Sequence, residues 1–133
     1  MKIIGLDEQE YTWKYHLHQT PRENCSAPHE RARKLLKELF PFSSICEEVP
    51  LIGVGKEKLF IDFFIPQKRL VVEVQGQQHY HFNHFFFSSK QAFGKALNRD
   101  RTKVEWCKIN NFDFVELPDN EKDKEWEMRI KNR

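Results

Sequence analysis

The chain has 133 residues, 39% hydrophobic and 32% charged, with twelve phenylalanines. That composition suits one folded domain and argues against disorder. Its formal net charge of +2 permits a nucleic-acid partner without requiring one. We expect no membrane span, because no run reaches the roughly 18 apolar residues needed. The acidic turn at Asp7 argues against a secretory leader. Cys25, Cys46 and Cys107 are odd in number and widely spaced, which predicts free thiols in an intracellular, reducing setting.

Residues 1–25 are polar with scattered aromatics (Tyr11, Trp13, Tyr15) and are expected to form an arm on the domain. Ser26-Ala27-Pro28 opens a helix, with Ser as cap and Pro tolerated in the first turn. Ala32, Leu35, Leu36, Leu39 and Phe40 then recur at helical spacing up to Pro41. Three strands are predicted at Ile45–Val49, Leu59–Ile65 and Arg69–Val74. The last two are dense in Phe, Ile and Val, as in strands covered on both faces. A histidine- and phenylalanine-rich loop follows Gly76. Ser88-Ser89 starts a long helix to about Asn110, with a stripe of Phe93, Ala96, Leu97, Val104 and Cys107 that Asp100 interrupts. Phe112–Leu117 is a fourth strand, and the charged stretch 119–133 forms a surface helix with Trp126 and Ile130 docked. The expected fold is α/β: a mixed central sheet of four strands flanked by helices. The domain proper covers residues 26–118.

Two acids fall where a core should be. Asp62 lies in Phe60-Ile61-Asp62-Phe63-Phe64-Ile65, and Glu73 in Leu70-Val71-Val72-Glu73-Val74. A buried carboxylate is costly unless it is paired, hydrogen-bonded or bound to a cation. If the connection turns through Gln67-Lys68, Asp62 stands opposite Glu73 on one face; a three-residue turn would slip the pairing by one. Oxygen ligands on rigid strands suit Mg²⁺ or Mn²⁺. Pairing with Lys or Arg at a sheet edge is the other reading. Gln75 shares the face of Glu73, His79 lies just beyond the turn, and Lys103 stands one helical turn from Asp100. Three imidazoles in His79-x-His81-x-x-His84 are a weaker zinc candidate.

The segments Phe60–Pro66, Val72-Glu73-Val74-Gln75-Gly76-Gln77-Gln78-His79-Tyr80 and Arg99-Asp100-Arg101-Thr102-Lys103 together resemble the restriction-endonuclease-like PD-(D/E)XK superfamily. Within it, the pattern is most similar to the branch of the very-short-patch repair endonuclease and homing-type nucleases. The resemblance implies a metal-dependent endonuclease cutting DNA, with Mg²⁺ or Mn²⁺ held by Asp62 and Glu73 and by the Val74 carbonyl. Asp100 is a further candidate ligand. It casts Gln75, His79 and Lys103 as catalytic candidates, and Glu30 as the acid many members carry on the first helix. On a helical wheel Glu30 lies opposite the apolar stripe, whereas His29 points closer to it. Gln75 departs from the usual Lys, so Lys103 or His79 is expected to supply the missing positive charge. Without that charge the chain would bind nucleic acid and leave it uncut. Lys34, Lys37, Lys95, Arg99 and Arg101 are the expected phosphate contacts, and a chain this short is expected to rely on DNA structure, homodimerisation or a protein partner for its target.

Overall fold

The computed structural model of the chain describes residues 1–76 and 90–133, leaving undescribed the side chains of residues 90–93 and 96. Its elements are β1 (Lys2–Ile4), β2 (Glu10–Thr12), a short 3₁₀ turn (Tyr15–His18), α1 (Ala27–Leu39), β3 (Cys46–Pro50), β4 (Phe60–Ile65), β5 (Leu70–Gln75), α2 (Lys90–Ile109), β6 (Asp113–Pro118) and α3 (Asp123–Lys131). The main sheet has the order β3-β4-β5-β6, with antiparallel pairs up to β5 and a parallel β5–β6 pair. This is the mixed four-stranded α/β arrangement expected. The parallel pair follows from α2, which carries the chain back across the sheet.

Helix α1 begins where expected. The Ser26 side chain accepts a hydrogen bond from the His29 N–H, and Pro28 sits in the first turn, where its missing N–H costs nothing. The connection from β4 to β5 pairs Ile65 with Leu70 and Phe63 with Val72, around a 3₁₀ turn at Pro66–Lys68 and a left-handed Arg69. That is the register in which Asp62 faces Glu73.

Side-chain alternation along the strands separates two cores. Phe63, Ile65, Leu70, Val72, Val115 and Leu117 meet α1 and α3 through Ala32, Leu35, Leu36, Trp126 and Ile130. Phe64 and Val71 turn to the other face and meet Trp106 and Cys107 of α2. Trp106 is the anchor that the predicted α2 stripe omitted.

Residues 1–25 are more than an arm. β1 and β2 form a two-stranded sheet of their own, and Ile3 and Trp13 are buried in the α2-side core. Trp13 lies 4.9 Å from Trp106 and 4.7 Å from Phe64 between ring centres, and its indole donates to the Pro50 carbonyl at 2.8 Å. Asn110 fixes the other end, accepting from the Ile4 N–H at 2.7 Å and donating to the Ile4 carbonyl at 2.9 Å. Trp13→Ala is therefore expected to destabilise the fold by about 3–5 kcal/mol, a core-truncation cost, measured by urea denaturation. Trp13→Phe, which keeps a ring and loses the indole donor, should cost about 1 kcal/mol.

Candidate metal and nucleic-acid site

The β4–β5 ladder stops at Phe63↔Val72. Beyond it the Val74 N–H donates to Asp62 Oδ2 at 2.8 Å. The carboxylate thus takes over as acceptor where the strands cease to pair. Carrying the register one residue further sets Asp62 level with Glu73, and on the other flank level with Glu48 between the pairs Glu47↔Phe63 and Val49↔Ile61. Glu73 is directly paired with Glu116 on β6. Four carboxylates, Glu48, Asp62, Glu73 and Glu116, therefore stand at one level across all four strands.

Glu73 is buried, 4% exposed. Lys103 of α2 brings its ammonium to 2.9 Å from Glu73 Oε1, and among the described residues that buried oxygen has no well-aligned hydrogen bond. Burial, reinforced by the Asp62 charge, pushes the Glu73 carboxyl well above the usual carboxylate range, against the pull of Lys103. Burial would lower the Lys103 ammonium, but Glu73, Asp62 and Asp100 together hold it above its ordinary value. Gln75 points to the same face, is 3% exposed, and its Oε1 is also buried without a hydrogen-bond partner. It lines a cavity of about 550 Å³ with Asp100, Arg101 and Glu116.

Asp62, Glu73, Gln75, Lys103 and Asp100 are thus assembled on the α2 side of the sheet. The donors fit a hard divalent cation in kind: two adjacent carboxylates carry more charge than one ammonium offsets, and one carboxylate oxygen lacks a donor. At Val74 the described bond engages the N–H. His79, with His81 and His84, lies outside the described residues, as do Phe82 and Phe85–Phe87. The Cys107 thiol is pushed up to about 12 by burial, which leaves it inert as a nucleophile.

Two expectations are corrected. Glu30 is on the exposed side of α1, where its nearest charged partner is Lys34 at 3.9 Å, because it lies opposite the stripe that packs on the sheet. The helix instead presents His29, buried and stacked on Phe63 at 4.4 Å between ring centres. The five basic residues also do not form one surface. Lys34 and Lys37 ride on α1, whereas Lys95, Arg99 and Arg101 ride on α2 across the sheet. All five are exposed, and Arg99 approaches Glu57 at 3.4 Å.

Sequence reasoning missed Glu47, Glu48 and Glu116. Glu47 is buried and bound by His29 Nε2 at 2.8 Å, by Arg33 at 2.7 and 2.8 Å, and by the Arg22 N–H at 3.2 Å. Burial would raise its carboxyl, but those partners hold it below the ordinary value. The signal was the doublet Glu47-Glu48: adjacent acids inside a strand must send one side chain to each face.

No family model and no solved structure matches the chain. Two curated proteins do match over 69 residues, 52% of the chain. Uncharacterized protein 307L of Invertebrate iridescent virus 6 is 39% identical there, and uncharacterized protein 033L of Invertebrate iridescent virus 3 is 42% identical. The match covers 35% and 34% of those proteins, so the chain spans about a third of the length of these relatives.

The raised Glu73 carboxyl has a definite sign. A group that holds its proton more tightly when folded contributes stability below its unfolded value, 4.5, and loses that contribution as pH rises through the folded value. Wild type should therefore lose stability relative to Glu73→Gln as pH is raised above 4.5, read by urea denaturation at stepped pH. Equal slopes for the two proteins would show that folding does not raise the Glu73 carboxyl.

Proposed function

We propose that the chain is a metal-dependent endonuclease hydrolysing phosphodiester bonds in DNA, on a restriction-endonuclease-like core. The observation that carries this reading is the pairing of half-buried Asp62 with buried Glu73 on adjacent strands, with Lys103 delivered to it from α2. It gains support from the order in which these residues occur in the chain, the order of the superfamily they resemble.

Asp62 and Glu73 would hold Mg²⁺ or Mn²⁺, with Asp100 and the Val74 carbonyl as further oxygen donors. A cation so held supplies Lewis-acid activation of water and of the scissile phosphate. Lys103 occupies the electrostatic role that the Lys of the common pattern would fill from the position of Gln75. Its ammonium, 2.9 Å from Glu73 Oε1, would offset the negative charge that grows during attack on phosphorus. Gln75, buried beside the cavity with a free acceptor oxygen, positions a hydrogen-bonding group of water or substrate. Lys95, Arg99 and Arg101 on α2 bind flanking phosphates on the same side of the sheet.

A second reading has one observation in its favour. Lys103 is ion-paired to Glu73, and Gln75 carries no charge, so a nuclease fold that binds DNA without cutting it would look the same. Supercoiled and linear DNA incubated with Mg²⁺, Mn²⁺ or EDTA separates the two. Metal-dependent nicking or cutting is expected, abolished in Asp62→Asn and Glu73→Gln and slowed about 100-fold or more in Lys103→Met. DNA binding with no cleavage under any metal would establish the non-cutting module, and cleavage surviving Asp62→Asn would remove the site assignment. Replacing Lys95, Arg99 and Arg101 by Ala should reduce the slope of log affinity against log salt by about 2–3 in either case.

A further inference from the structure

We propose that His29, Glu48 and Asp62 form a second divalent-cation site, suited to Mn²⁺ or Zn²⁺ over Mg²⁺, sharing Asp62 with the Asp62–Glu73 pair. One ring nitrogen of His29 and one carboxylate oxygen each from Glu48 and Asp62 all lie within 4.8 Å of one another. The three come from separate elements, α1, β3 and β4, so the group is assembled by tertiary structure. Neighbouring ligands of one such cation sit about 3.0–3.4 Å apart, so the carboxylates must rotate inward to close the set.

The surroundings prepare the imidazole for this use. His29 is buried, and its Nε2 is 2.8 Å from Glu47 Oε1. Glu47 Oε1 also accepts from Arg33 and the Arg22 N–H, so it takes the Nε2–H of His29 and leaves Nδ1 as the ring nitrogen open to a cation. A carboxylate behind a histidine is the arrangement that fixes the ring of a metal ligand and raises its basicity. Asp62 is fixed in turn: its Oδ2 accepts from the Val74 N–H, leaving Oδ1 for a cation. Glu48 reaches the group from a left-handed backbone, φ 50°, which a non-glycine residue rarely adopts inside a strand. Its Oε1 is meanwhile held by Arg22 Nη1 at 2.6 Å. Arg22 is half exposed, 46%, and can swing into solvent when a cation takes its place. One imidazole with two carboxylates is a borderline donor set, which favours Mn²⁺ or Zn²⁺ over Mg²⁺.

The site extends the one proposed above but does not require that the chain cut DNA, because occupancy is read directly. The full chain would be titrated with MnCl₂ by calorimetry, and bound Mn²⁺ examined for nitrogen coupling by pulsed electron paramagnetic resonance. Wild type should bind two Mn²⁺ and show coupling to one histidine nitrogen. His29→Gln and Glu48→Gln should each lose one equivalent, with the nitrogen coupling lost in His29→Gln. Glu73→Gln should retain the nitrogen-coupled ion. Glu48→Gln, at a partly exposed position, keeps the test open if His29→Gln fails to fold. Unchanged stoichiometry in Glu48→Gln, or absence of nitrogen coupling in wild type, would overturn the proposal. A wild type that binds only the nitrogen-coupled ion, with stoichiometry unchanged in Glu73→Gln, would instead count against the pairing of Asp62 with Glu73 as a metal site.

Discussion

The structure turns on carboxylates held inside a sheet. Asp62 and Glu73 occupy neighbouring positions on the two central strands, with apolar residues before and after each of them. Placing two negative charges there is unfavourable unless something offsets them. Three features answer that cost. The β4–β5 ladder ends at this level, so Asp62 can accept the Val74 N–H. Helix α2 crosses the same face and delivers Lys103. Glu73 holds its proton more tightly than an ordinary carboxyl.

A comparison with Glu47 shows why these acids read as a site and not as structure. Both are buried glutamates on the same sheet. Glu47 is surrounded by donors from His29, Arg33 and the Arg22 backbone, and its carboxyl is held below the ordinary value. That is how a protein buries a charge for good. Among the described residues Glu73 has the Lys103 ammonium at 2.9 Å, the neighbouring Asp62 carboxyl, and no well-aligned hydrogen bond to its Oε1. An arrangement left short of positive charge is one that a ligand can complete.

Much of this was legible in the chain, and the limits are physical. Strand and helix positions followed from periodicity, and Pro66, Gly76 and Pro118 marked their ends. The facing of Asp62 and Glu73 depended on one turn length, which the pairing of Ile65 with Leu70 settles. Helical spacing correctly turned Glu30 outward and His29 inward. It could not show that α1 and α2 lie on opposite faces of the sheet, which separates Lys34 and Lys37 from Arg99 and Arg101, since that depends on the parallel β5–β6 crossover. The N-terminal residues misled for another reason. Their few apolar side chains, Ile3 and Trp13, are isolated in a polar sequence, and only the tertiary contact with Pro50 and Trp106 reveals them as core.

The same row of acids constrains what can approach. Helix α2 carries six basic residues and two acids, but Lys103 is committed to Glu73, and Asp100 adds to the charges acting on that ammonium. What remains, chiefly Lys95, Arg99 and Arg101, lies along the exposed side of the helix and can draw a phosphate backbone to it. The sheet level beneath presents Asp62, Glu73 and Glu116 and repels the same phosphate. On the proposed function, a phosphodiester would approach Lys103 more readily once that repulsion is reduced. A divalent ion on the carboxylates removes the repulsion and leaves the helix attraction intact. In a metal-dependent nuclease of the kind proposed, polyanion binding and cation binding would therefore be coupled, each stabilising the other through Asp62 and Glu73.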